Sequence, residues 1–246
     1  MHISAADAPN LTTCAAIPAQ SLGTVSTAGD WLVWQILDSA FPSGGLAHSG
    51  GIEPAWQQGW LRTPEDFRRF LLESARQAAR SAIPFLTNAH SGAPLEDLDH
   101  HLDTMLTSHV ANRASRLQGQ ALLSSACKIF GGEPIGSMRA AMLAGKIVAH
   151  LPIVFGALAR QCAISRGQAV RIFLYMNVRG VMSAAVRLGV LGPLEAQRIF
   201  AGLGPDLEML ASQAGEFTVA DAAQSAPLLE LWQMSQDRLY SRLFQS

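Results

Sequence analysis

Thr63-Pro64-Glu65-Asp66-Phe67-Arg68-Arg69-Phe70-Leu71-Leu72-Glu73-Ser74-Ala75-Arg76-Gln77-Ala78-Ala79-Arg80 reads as one amphipathic helix. Thr63 is a capping residue and Pro64 supplies its fixed φ at the first helical position. Glu65 and Asp66 meet the positive end of the helix dipole. Phe67, Phe70, Leu71, Ser74, Ala75 and Ala78 fall on one face, and Arg68, Arg69, Glu73, Arg76 and Arg80 mostly on the other. The same grammar recurs along the chain. Pro94 opens a helix with Glu96 and Asp97 in its first turn. Leu98, Leu102 and Met105 continue at three- and four-residue steps into Val110, Ala114, Leu117 and Ala121, and Gly131-Gly132 stops the run. Gly192-Pro193 and Gly204-Pro205 separate later helices, and Pro227 opens the last. No segment alternates with period two, so the expectation is an all-α, single-domain helical bundle over residues 31–246. Residues 1–30, rich in Ala, Ser, Thr and Pro without periodicity, read as a disordered N-terminal extension. They lack the pattern of a signal peptide and the arginines of a mitochondrial presequence.

Composition narrows the function. The chain has 246 residues, 49% hydrophobic and only 15% charged, with a net charge of −1. Ordinary soluble chains carry roughly 25% charge, so apolar surface is left over for protein partners. The near-neutral balance argues against nucleic acid, which needs a basic stripe, and against a polybasic membrane anchor. The apolar runs Met142–Leu158 and Ile172–Leu191 are interrupted by Lys146, His150 and Pro152 and by Arg179 and Arg187, so no membrane span is expected. Cys14, Cys127 and Cys162 are scattered and form no CxxC pair, which reads as reduced thiols of a cytoplasmic protein.

Three segments invite chemical readings. Ala47-His48-Ser49-Gly50-Gly51 approximates the nucleophile elbow of a serine hydrolase with Ser49 as nucleophile. That rival function needs a parallel sheet, which the pattern does not supply. Gly145-Lys146 lacks the first glycine and the hydroxyl of a phosphate-binding loop. His90, Asp97, Asp99, His100, His101 and His109 cluster in sequence, and Asp97 and His101 stand one helical turn apart. Their spacing matches no established ligand set, so no tight metal site is expected. Arg179 and Arg187 flank the small residues Gly180, Ser183, Ala184 and Ala185 on an apolar helix, the composition of a helix–helix or dimer contact.

The glycine-rich segment and four later blocks together resemble the urease accessory protein F family. Phe41-Pro42-Ser43-Gly44-Gly45-Leu46-Ala47-His48-Ser49-Gly50-Gly51-Ile52-Glu53 is similar to its signature, with Leu46 where the pattern has an aromatic residue. Ala114-Ser115-Arg116, Gln118-Gly119 and Ala121-Leu122-Leu123 resemble its central helix. His150-Leu151-Pro152 with Val154-Phe155-Gly156, Ser183–Leu188 with Leu191-Gly192-Pro193, and the C-terminal Tyr240–Ser246 follow in family order. The resemblance implies an all-helical homodimer that acts as a non-enzymatic urease maturation chaperone. It implies a scaffold between the D/H accessory protein and the GTPase accessory protein G, which loads nickel into apo-urease. GTP would be bound by the partner, and nickel would be in transit through the interior, so the chain needs no cofactor of its own. Pro42, Ser43, Gly44, His48, Ser49 and Glu53 are the candidate partner-binding or passage-lining residues. Tyr240, Leu243 and Phe244, with Arg242 beside them, form an interface-like chain end, expected to be mobile until it docks on the D/H protein.

Overall fold

The computed structural model describes residues 27–246, with side chains from residue 31 onward except that of Leu46. Among the described residues there are twelve α-helices and no strand. They are α1 Thr27–Leu37, α2 Ile52–Gln57, α3 Pro64–Ser81, α4 Ile83–Ser91, α5 Leu95–Met105 and α6 His109–Ile129. Then follow α7 Ile135–Leu143, α8 Leu151–Gln161, α9 Arg166–Arg187, α10 Pro193–Gly202, α11 Gly204–Ala214 and α12 Pro227–Ser235. The expected extension over residues 1–30 lies outside the described residues as far as 26. Its last four residues already belong to α1, so the first helix begins earlier than the apolar pattern suggests.

The α3 start is built as its sequence dictates. Thr63 Oγ1 accepts the Asp66 N–H at 3.2 Å, and the Asp66 carboxylate accepts the Thr63 N–H at 2.9 Å, a reciprocal capping box that satisfies two orphan donors. Phe67, Phe70, Leu71, Ala75 and Ala78 are buried, as the stripe requires. The continuous α5–α6 pattern is broken in the structure: α5 stops at Met105, and Ser108 caps a new helix by accepting the Ala111 N–H at 3.3 Å. The apolar period carried across this turn without marking it, and Leu117, assigned to the core face, is 43% exposed.

α8 and α9 form the centre. α8 is buried from Pro152 to Ala159 and makes its most extensive contact with α4, then α6. α9 is covered by α3, α11, α4 and α8. It is long and apolar enough to cross a membrane by length and composition, and 56% of its apolar window is buried inside the protein. Two glycines set these contacts. A Cβ on Gly156 would sit 2.3 Å from the Leu86 carbonyl oxygen of α4, and one on Gly119 of α6 would sit 2.0 Å from that of Ala149. Neither position has room for any other residue.

The α5–α6–α8 junction is polar and closed. Asp99, fully buried, accepts the N–H groups of Val148, Ala149 and His150 at 2.6, 3.2 and 2.8 Å ahead of α8. His150, equally buried, contacts Ser115 Oγ at 3.0 Å and Asp103 Oδ1 at 3.1 Å. Burial pushes the His150 pKa down, against the pull of the Asp99 and Asp103 charges. A neutral ring that accepts from Ser115 and donates to Asp103 satisfies all three groups.

Candidate functional site

The glycine-rich segment lies between α1 and α2, on α6 and α9. Gly44, Gly50 and Gly51 have φ of 73°, 64° and 90°, the left-handed region that a β-branched residue does not tolerate. Gly45 is not among the positive-φ residues, so of the Gly44-Gly45 pair only the first is fixed by backbone conformation. Pro42, Ser43, Gly44 and His48 line a cavity of about 520 Å³ whose far wall is α9, through Asn177, Arg179 and Ser183. A second cavity, about 200 Å³, is edged by Ser74, Ser115 and Ser246. The two share His48, Gly50, Gln118, Leu151, Phe173 and Asn177 as walls. Their polar lining is hydroxyls, amides and one imidazole, with Asp38 and Arg179 as the charged groups of the larger cavity.

That imidazole is neutral. His48 is 9% exposed, and its Nδ1 contacts Ser246 Oγ. Burial first, and the nearby Arg113 charge second, pull its pKa down to about 4. Ser49 and Glu53 do not line either cavity. Ser49 is fully buried: its hydroxyl reaches Gln236 Oε1 at 3.4 Å and accepts the Gly51 N–H at 3.3 Å. A nucleophile must be exposed and paired with a base, whereas here the neighbouring imidazole serves Ser246 and no strand precedes the turn among the described residues. The geometry contradicts the hydrolase reading of Ser49.

Glu53, 1% exposed, holds the C-terminal segment. Its carboxylate accepts the Leu243 N–H at 2.6 Å, the Phe244 N–H at 3.2 Å and the Gln236 Nε2–H at 2.8 Å. Gln245 N–H donates to the Ala47 carbonyl at 2.9 Å, and Ser49 N–H donates to the Ser246 carbonyl. Phe244 is 3% exposed beneath the Arg187 guanidinium, 4.6 Å from its ring centre. The chain end is therefore packed on its own domain, not loose. The expectation of a mobile tail rested on counting apolar residues, and it missed that a buried carboxylate waits for the tail's backbone. Tyr240, Arg242 and Leu243 remain exposed. An ion network ties the base of the tail to α6: Asp237 takes Arg113 at 2.9 Å and Arg242 at 2.8 Å, and these, Arg113 foremost, hold its pKa down to about 2.

The two arginines expected at a dimer contact serve within the chain. Arg179 donates to the Leu37 carbonyl at the end of α1, and Arg187 covers Phe244. The clustered histidines disperse: His90 bonds the Ile164 carbonyl, His101 packs edge-on against Phe85, and His109 pairs with Asp237. Among the described residues no three His, Cys, Asp or Glu side chains gather to hold a metal ion. Sequence reasoning missed Gln236 and Asp103, and it grouped Asp99 with the histidines, whereas Asp99 is the buried acceptor for the backbone ahead of α8.

A family model described as UreF matches residues 61–204. The urease accessory protein F of Oryza sativa subsp. indica is 34% identical over 220 residues, covering 87% of this chain and 84% of that protein. That of Arabidopsis thaliana is 32% identical over 229 residues, 91% and 95% of the two chains. The chain belongs to the urease accessory protein F family. The bacterial urease accessory protein UreF of Trichodesmium erythraeum is 30% identical over 217 residues, 85% and 94% of the two chains. The glycine-rich segment of this chain is thus both a cavity wall and the seat of the C-terminal segment.

Proposed function

We propose that this chain is a cytoplasmic urease maturation chaperone, a homodimeric scaffold that joins the D/H accessory protein to the GTPase accessory protein G during nickel insertion into apo-urease. Family membership over most of the chain is the observation that carries this reading. The paired cavities support a passage role. Nickel needs imidazole, thiolate or carboxylate donors in sets to be retained. Hydroxyls, amides, a single neutral imidazole and the lone carboxylate of Asp38, opposed by Arg179, do not make such a set, so a hydrated cation passes instead. GTP chemistry belongs to the partner in this scheme.

The docking face for the D/H protein is proposed along α12 and the outward side of the tail. Leu228 and Leu231 of α12 are 61% and 60% exposed, and Tyr240 and Leu243 continue that apolar surface. Phe244 is withdrawn from this face because its ring is in the core. Exposed aromatic and aliphatic groups with Arg242 at the rim make an interface anchor.

Urease activation in cells lacking the chain tests the proposal. The wild-type chain restores activity, and Gly44→Val does not, because a β-branched residue at φ 73° distorts the cavity wall and meets Ala121 Cβ at 3.3 Å. Full activation by the Gly44→Val variant removes the glycine-lined cavity from the mechanism.

A further inference from the structure

Helices α3 and α12 start alike in sequence and are capped differently. Thr63-Pro64-Glu65-Asp66 carries its own capping box, in which Asp66, at the third helical position, accepts the N–H of Thr63. Ala226-Pro227-Leu228-Leu229 has proline in the same place, but Ala226 has no side chain that can cap, and Leu229 stands where α3 has its acid. The first turn of α12 is given to leucines instead: Leu229 is buried and Leu228 is exposed.

The acceptor that this turn lacks comes from α3. Gln77 is buried on the apolar side of that helix, where an amide costs free energy unless its hydrogen bonds are made. They are made with the start of α12 and the residues leading into it. Oε1 accepts the Ala226 N–H at 2.8 Å, the Ser225 N–H at 2.7 Å and the Ser225 hydroxyl at 3.1 Å. Nε2 donates to Gln224 Oε1 and, at 3.4 Å, to Glu230 Oε1. The Ala226 N–H is the orphan donor that a capping box would serve from within the helix. Further along α3, the Arg80 carbonyl accepts the Ala223 N–H at 3.2 Å. From there α12 runs back along α3, and Trp232 stacks on Phe70 with ring centres 5.5 Å apart. Leu229 is the one buried residue of α12. With so little buried, the course of the helix is set by where its first residue is held.

We infer that Gln77 is the positioning residue of α12. It caps the helix from α3, so the first turn of α12 needs no polar residue and presents Leu228 outward. Being buried, Gln77 acts through α12 alone. The inference rests on the reading of Leu228 and Leu231 as part of the docking face for the D/H protein.

Hydrogen exchange and capture of the D/H protein, both measured on the full chain and its variants, test it. Gln77→Leu keeps the size of the side chain and removes its bonds to residues 224–230. The α12 amides should then exchange at least about tenfold faster with α8 unchanged, and capture should weaken at least about tenfold. Gln77→Glu combined with Glu230→Gln swaps the two groups: an oxygen still accepts from Ser225 and Ala226, and an amide still bridges the pair. This double variant should return both readouts to within about threefold of wild type, which a side chain that only fills space would not do. Leu228→Ala with Leu231→Ala should lose capture and leave α12 exchange as in wild type. The inference is overturned if Gln77→Leu leaves α12 exchange unchanged, or leaves capture unchanged while the leucine variant loses it. It is also overturned if α8 exchange rises with that of α12, or if the swapped pair restores nothing. A Gln77→Leu chain that fails to fold counts against it as well, because the amide would then hold the core. Should the leucine variant capture the D/H protein normally, the docking-face reading fails, and α12 exchange alone decides whether Gln77 is the cap.

Discussion

At the scale of single residues, fit and charge decide more than propensity. Gly119→Ala places a methyl group 2.0 Å from the Ala149 carbonyl oxygen, so α6 must move away from the α8 entrance. The expected loss is about 2–4 kcal/mol, read as a fall in the thermal midpoint of roughly 5–15 °C. Gly180→Ala on α9, where a Cβ meets nothing within 4 Å, should be neutral or stabilise by up to about 1 kcal/mol. Equal midpoints for the two variants contradict the close-approach account. The histidines set the response to acid. His48 is lowered from 6.5 to about 4 in the folded chain, so the unfolded chain takes up the proton first. Its contribution to stability is present above pH 6.5 and is lost as pH falls toward about 4. The lowered His150 acts in the same direction. Denaturant midpoints measured from pH 7 to pH 4 should fall steadily, and His48→Gln should make that slope shallower. A flat profile across this window refutes the neutral-imidazole assignment. Such residues were only half legible in the sequence. Gly44 and the α3 cap announce themselves locally, whereas Asp99, His150 and Glu53 find partners about 50, 35 and 190 positions away.

At the scale of elements, helices were readable where a cap or a stop coincided with the apolar period. α3, α10, α11 and α12 each carry Pro in their first turn, and their starts follow from it. The α5–α6 break was hidden because the short turn keeps the apolar phase across it, and only Ser108 marks the new start. The tail shows the complementary limit. Its apolar residues Leu239, Tyr240, Leu243 and Phe244 were visible, but which of them turns inward depends on Glu53, Gln236 and Arg187 in space. The division between them is testable. Phe244→Ala should cost about 2–4 kcal/mol of stability, since a buried ring and its cation contact are both lost. Tyr240→Ala and Leu243→Ala should change stability by less than about 0.5 kcal/mol while weakening capture of the D/H protein. Chemical denaturation and pull-down on the same three variants check this. A stability loss at Tyr240 as large as that at Phe244 refutes the assignment of faces.

At the scale of the whole molecule, the low charge and surplus apolar residues now have a location. Leu228, Leu231, Met234 and Leu243, with Trp60 at 62% exposure, gather around α12 and the tail; Trp31 and Trp34 stand out on α1. A chain with this surface is built to be covered. The fold class was legible because helical periodicity is a local property, repeated in helix after helix among the described residues. The cavities were not, because their walls come from six or more separate segments. The central claim is that the chain is the link between the D/H accessory protein and the GTPase. Gel filtration with light scattering of the three purified proteins, with nickel and GTP, tests it most directly. The account predicts that the chain alone elutes at twice its 26.3 kDa mass, and that all three proteins co-elute in one larger species that disappears when this chain is left out. A chain that elutes alone as a monomer, while the D/H protein and the GTPase associate equally well without it, contradicts the account.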